Sequence, residues 1–187
     1  MQPGVFNGFT RLRPAIGFTE FTVIELPVNA SQTIKFYDFL STSSGKVSQA
    51  IALPTAGTST LSGGNLPITG VATAPITTDA SGNETAGGQT RTTTTVAIFN
   101  DDLNVLLQCA TTNGASQTLA NYTQGTAYQL GRFQNAGGTA SWYFLSPTTT
   151  NGEMVFIEIP QDLKGSTSTY PAVWCKAAFS ATVRQFA

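Results

Sequence analysis

The sequence predicts an all-β protein: a single β-sandwich or small β-barrel of about ten short strands, preceded by an extended N-terminal arm. Three observations carry this expectation. Only 10% of the 187 residues are charged while 41% are hydrophobic, against about a quarter charged in an ordinary globular domain. The missing charge is replaced by Thr, Ser, Asn, Gln and Gly, as in Thr92-Thr93-Thr94-Thr95 and Thr148-Thr149-Thr150. Thr suits a pleated surface because it branches at Cβ. Turn-forming residues also recur at short intervals between apolar runs, which is the spacing of a strand-rich domain. A chain of this length can bury a substantial core as one domain.

Residues 1–17 read as the arm, and residues 18–187 as the β domain. The arm contains Pro3, Gly4, Gly8, Pro14 and Gly17, with apolar anchors Val5, Phe6, Phe9, Leu12 and Ile16 between them. Fixing its backbone costs on the order of 20 kcal/mol, and five apolar anchors at about 2 kcal/mol each recover half of that. Pairing with another surface would close the gap. That surface is either a neighbour or, for an edge strand folded back, the arm's own domain.

Strands are expected at Phe18–Leu26, Thr33–Leu40 and Val47–Leu53, the last following the turn Ser43-Ser44-Gly45-Lys46. A Gly/Ser/Thr-rich loop over Pro54–Asn65 leads to Ile68–Ile76. The turn Asp79-Ala80-Ser81-Gly82-Asn83 follows, and Thr92–Phe99 is the hairpin partner expected for Ile68–Ile76. Asn100-Asp101-Asp102 supplies a turn or a single helical turn. Strands at Val105–Ala110, Ala127–Phe133, Ser141–Leu145, Met154–Ile159 and Val173–Val183 complete the set, separated by Asn113-Gly114, Gly137-Gly138 and Asn151-Gly152. In Met154–Ile159 both faces are apolar, so the second face belongs either to another core layer or to an interface. No repeat of 20–50 residues is present.

The same composition excludes several functions. Net charge is −1, with no basic stripe, so no nucleic-acid partner is expected. No apolar run approaches 18 residues, so no transmembrane helix and no membrane partner are expected. The start has neither the basic nor the apolar region of a secretory leader. The chain contains no His, which removes the usual triads, His-based metal sites and the side chain best suited to proton transfer near neutral pH. Cys109 and Cys175 show no CxxC spacing and cannot complete a zinc site without carboxylates; buried free thiols are the favoured reading.

The acidic groups lack catalytic geometry. Asp101-Asp102 sits in a turn, and Glu20/Glu25 and Glu153/Glu158 are spaced so that the members of each pair face opposite ways on a strand. Asp79–Glu84 is too sparse in oxygens for a calcium loop. Gly63-Gly64, Gly87-Gly88 and Gly137-Gly138 match no phosphate-binding motif. The N-x-[ST] triplets at Asn29, Asn83 and Asn121 fit chance in so Ser/Thr-rich a chain. No catalytic residue, cofactor or metal is expected.

From Thr33 to Gln108, about 40% of the chain, the order of features resembles the head-decoration (cement) proteins of tailed bacteriophages. The features are Gly70-Val71-Ala72, the strand Thr95-Val96-Ala97-Ile98-Phe99, the turn Asn100-Asp101-Asp102, and Val105-Leu106-Leu107-Gln108. Two departures are visible: no proline stands beside the acidic turn, and the arm lies outside the pattern. The resemblance implies a non-enzymatic virion protein, made in the host cytoplasm and bound to the outer capsid surface. Its partners would be the major capsid protein and other copies of itself in a dimer or trimer. Contacts are then expected from Phe6, Phe9, Arg11 and Arg13, because Arg among aromatics is a common interface mixture. Trp142 and Tyr143 form a weaker second candidate. A tail or fibre component, and a carbohydrate-binding adhesin using Trp142, Tyr143 or Tyr170 as sugar platforms, are the alternatives.

Overall fold

The structure is a computed structural model and describes residues 11–64, 66–85, 90–111, 115, 117–161 and 170–178. It is all-β: fifteen short strands and one short 3-10 turn at Leu119–Asn121 are present among the described residues. The strands are β1 (Arg11–Pro14), β2 (Val23–Pro27), β3 (Thr33–Ile34), β4 (Phe39–Ser43), β5 (Lys46–Gln49), β6 (Ser59–Leu61), β7 (Gly70–Ala72) and β8 (Ile76–Thr77). They continue as β9 (Thr93–Ile98), β10 (Leu103–Cys109), β11 (Ala127–Tyr128), β12 (Leu130–Gln134), β13 (Ser141–Leu145), β14 (Met154–Glu158) and β15 (Ala172–Ala177).

Three sheets form. One runs β11-β14-β15-β10-β13-β12-β6, with β1 added on β10; a second runs β2-β9-β7-β4-β5; a third is the pair β3-β8. The main core lies between the two large sheets. Phe39, Ile51, Ile68, Val71, Ala97 and Phe99 meet Val105, Leu107, Leu130, Tyr143, Leu145, Met154, Phe156 and Val173 there. Phe39 is its aromatic hub, with ring centroids 4.9 Å from Tyr143 and 5.8 Å from Phe99. Such pairs add about 0.5–1.5 kcal/mol each beyond burial.

A second core fills the opposite face of the five-stranded sheet. Leu40, Val47, Ala72, Val96 and Ile98 pack there with Ile34 and Ile76 of the small sheet. The five-stranded sheet is therefore covered on both sides, which explains its continuous apolar runs. Gly70-Val71-Ala72 is buried throughout because Val71 enters the first core and Ala72 the second. In β14, Met154 and Phe156 face the main core, while Val155 and Ile157 remain half-buried on the other side.

Several expected strands divide. Thr33–Leu40 breaks into β3 and β4 around the turn Lys35–Asp38, and Ile68–Ile76 into β7 and β8, because β3 and β8 leave to form their own pair. The antiparallel partnership of that second segment with β9 does form, with Gly70 opposite Ile98 and Ala72 opposite Val96. The loop after Pro54 contributes the edge strand β6. Ser44 and Gly45 both take positive φ (52° and 76°) between paired Ser43 and Lys46, the geometry of a two-residue hairpin turn. The turn expected at Asn113-Gly114 and residues 179–183 of the last expected strand lie outside the described residues.

Arg11–Pro14 of the expected arm is strand β1, antiparallel to Leu103–Leu106. For these four residues the folded-back edge strand is the reading that describes the structure. Residues 1–10 lie outside the described residues. The alternation Arg11-Leu12-Arg13 was the local sign of this strand: Leu12 packs against the main core, and the two arginines take the outer face.

Cys109 and Cys175 are free and fully buried in the main core. Burial pushes both thiols up from their ordinary range, so the thiolate is disfavoured. Ellman's reagent should therefore find no reactive thiol in the native protein at pH 8 and two after denaturation in guanidinium. Rapid native labelling of either would show that this core opens readily.

Candidate docking surface

Among the described residues the exposed large hydrophobic side chains are Ile16, Phe18, Val23, Phe36, Tyr37 and Leu53. All but Leu53 fall between residues 16 and 37, in the segments that follow β1 and flank β2 and β3. Single exposed apolar residues need no explanation, whereas contiguous ones mark an interaction surface, and Phe36 and Tyr37 are adjacent. Phe36 and Tyr37 also line a cavity of about 340 Å³ together with Arg11, Leu12, Phe21 and Thr73.

The turn that presents Phe36 and Tyr37 is rigidly built. Tyr37 has φ of 65°, a left-handed conformation that a bulky side chain adopts at a cost of about 1–3 kcal/mol. Its N–H donates to the Ala72 carbonyl at 2.9 Å, and the Asp38 N–H closes the turn on the Lys35 carbonyl at 3.2 Å. The buried Asp38 carboxylate accepts from the Lys35 N–H at 3.0 Å and from Gln49 Nε2 at 2.8 Å. Beneath it lies Arg132, 1% exposed, with one guanidinium nitrogen 3.4 Å from Asp38 Oδ1. Arg132 also donates to the Ile51 carbonyl at 2.8 Å and to Ser141 Oγ at 3.2 Å. Its guanidinium carbon lies 5.1 Å from the Tyr143 ring centroid. The strain is thus held from below by an ion pair with further hydrogen bonds. The rings of Phe36 and Tyr37, 6.3 Å apart and tilted by 50°, are exposed above it.

A second concavity, of about 290 Å³, is lined by Arg13, Ala15, Ile16, Asp101, Asn104, Ile157, Glu158 and Lys176. Arg13 lies 4.0 Å above the Trp174 ring and pairs with Glu158. A register shift between Phe156 and Glu158 turns Glu158 to this face, as β-bulges re-aim side chains.

The sequence-predicted contacts separate accordingly. Arg11 lines the aromatic cavity, and Arg13 is engaged within the chain. Phe6 and Phe9 lie outside the described residues. Trp142 is half-buried against Phe133, edge to face at 5.6 Å. Tyr143 is a core residue, 2% exposed, and cannot serve as a sugar platform or a contact. Sequence reasoning missed Phe18, Val23, Phe36 and Tyr37. Neither Gly nor Pro marks the 35–38 turn; its one sign is Asp38 interrupting the apolar face that would join Ile34 to Leu40.

Three acidic residues, Asp102, Glu153 and Asp79, hold neighbouring backbone or hydroxyl groups. Asp102 Oδ2 accepts from the Thr22 N–H at 2.9 Å and its hydroxyl at 2.7 Å, fixing the start of β2. The buried Glu153 carboxylate accepts from Ser62 Oγ and from the Leu66 and Leu130 N–H groups. Asp79 Oδ1 accepts from the N–H groups of Ser81 and Asn83, and these bonds hold its carboxyl below the usual range. Among the described residues, no cluster of three Cys, Asp or Glu has the spacing to hold a metal ion. No helix is long and apolar enough to cross a membrane among them. No family model, curated protein or solved structure matches the chain.

Proposed function

We propose that this chain is a structural docking module of a tailed-bacteriophage virion, a cement protein that binds the outer capsid surface and ties neighbouring major capsid subunits together. The observation that supports this reading is the exposed aromatic pair Phe36 and Tyr37, which lines a cavity with Arg11 and Leu12 at the root of the arm, on a base fixed by buried Arg132 and Asp38. An apolar patch on a rigid scaffold suits protein docking, because little conformational entropy remains to be lost on binding. The neutral, Thr-rich remainder supplies a surface without strong charge preferences. Phe6 and Phe9 extend the apolar series toward the N-terminus, so the arm is the natural lead into the same contact.

Quantitative mass spectrometry of the purified particle tests the proposal. A copy number close to that of the major shell protein is the expected result, and deletion of residues 1–10, which leaves strand β1 in place, should release the protein and lower the temperature at which the particle loses its DNA. A few dozen copies would assign the chain to the tail or a fibre, and absence from the particle would remove the proposal. The adhesin alternative has lost Tyr143 as a platform; glycan-array binding abolished by Phe36→Ala would restore it.

A further inference from the structure

The course of the chain N-terminal to Arg11 is constrained by a fork in the eight-stranded sheet. β15 occupies one edge of β10 at Val105–Gln108. β1 and β13 must therefore share the other edge, β1 opposite Leu103–Leu106 and β13 opposite Gln108 and Cys109. Extending β1 backward in register would place residue 9 opposite Gln108, where Phe144 of β13 already sits. β13 thus closes that edge of β10 beyond Leu107.

Arg11 is also on the lip of the cavity formed with Leu12, Phe21, Phe36, Tyr37 and Thr73. Two aromatic walls of that cavity, Phe36 and Tyr37, are 58% and 45% exposed. The ten residues that precede Arg11 carry Val5, Phe6 and Phe9, with Gly4 and Gly8 free to reverse the chain. At about 3.3–3.6 Å per residue, Phe9 can lie up to about 7 Å from Arg11 and Phe6 up to about 17 Å. A tether this short gives an effective concentration in the millimolar range, which favours the chain's own arm over a free partner.

We propose that this aromatic groove is the seat of the chain's own N-terminal arm, with Phe9 inserted against Phe36 and Tyr37 in the free protein. The arm then covers an apolar surface that would otherwise face water before assembly. This inference does not depend on the virion reading, and it is tested on the isolated full-length chain.

The test is nuclear Overhauser spectroscopy on protein labelled at Phe and Tyr. Cross-peaks between the Phe9 ring and the rings of Phe36 and Tyr37 are expected, and Phe9→Ala should remove them. In a sample mixed from labelled and unlabelled copies, cross-peaks between copies would assign the groove to a neighbour's arm and overturn the proposal. Absence of any Phe9 contact with these rings would overturn it as well. As a second measurement, deletion of residues 1–9 should raise the emission of a hydrophobic dye several-fold, and Phe36→Ser with Tyr37→Ser should cancel the increase. Unchanged emission after the deletion would equally sink the idea.

Discussion

Arg132→Met should lower stability by about 3–5 kcal/mol, the cost of leaving one member of a buried ion pair without its partner. The substitution keeps most of the side-chain volume, so little of the loss comes from a cavity. It strands the Asp38 carboxylate, 4% exposed, and removes the donors to the Ile51 carbonyl and Ser141 Oγ. For a chain of this size each kcal/mol corresponds to about 2–4 °C in Tm, so calorimetry should register a fall of about 10 °C. Asp38→Asn alone removes the charge but keeps an acceptor for the Lys35 N–H. The double variant should be less destabilised than the sum of the singles, because the stranded charge is gone. Additive losses would show that the two side chains act separately. Loss of Asp38 should also speed hydrogen exchange at the Tyr37 amide, since the strained turn depends on that carboxylate.

Gly70→Ala is the second substitution expected to have a large effect. A Cβ at position 70 would stand 2.3 Å from the Ala97 carbonyl oxygen and 2.7 Å from Val96 Cγ1. The first of these is backbone in the neighbouring strand β9, so the clash can be relieved only by moving strands within a sheet buried on both faces. Overpacking of this kind costs about 1–3 kcal/mol and occasionally more, and the absence of any flexible neighbour puts Gly70 at the upper end. Gly137→Ala is the control. Its added methyl would meet only side-chain atoms at 3.8 Å, in an exposed turn, and should change stability by less than about 0.5 kcal/mol. Equal denaturation midpoints for the two variants would refute the close approach of β7 and β9.

The sequence by itself determined the class of this protein. Low charge, abundant Thr and recurrent turn residues specify short strands, because these are properties of local backbone preference and of surface chemistry. Strand β13 at Ser141–Leu145, the Ser44-Gly45 hairpin and the Asp79 turn were legible for that reason, each depending on residues within a few positions. The absence of His, read directly from the sequence, removes only the arrangements that use an imidazole.

Tertiary structure alone decided where the strands break and which aromatics face water. Thr33–Leu40 reads as one strand until Asp38 finds Arg132, 94 residues away, and that long-range pair makes the left-handed turn at Tyr37 affordable. Tyr143 and Phe36 are equally aromatic in the sequence. One lies beneath the turn against Arg132 and the other above it, because burial depends on which sheet covers which face, and no local pattern carries that information. The fork at β10 has the same origin. The claim of β13 on Gln108 and Cys109 appears only once distant strands are brought side by side.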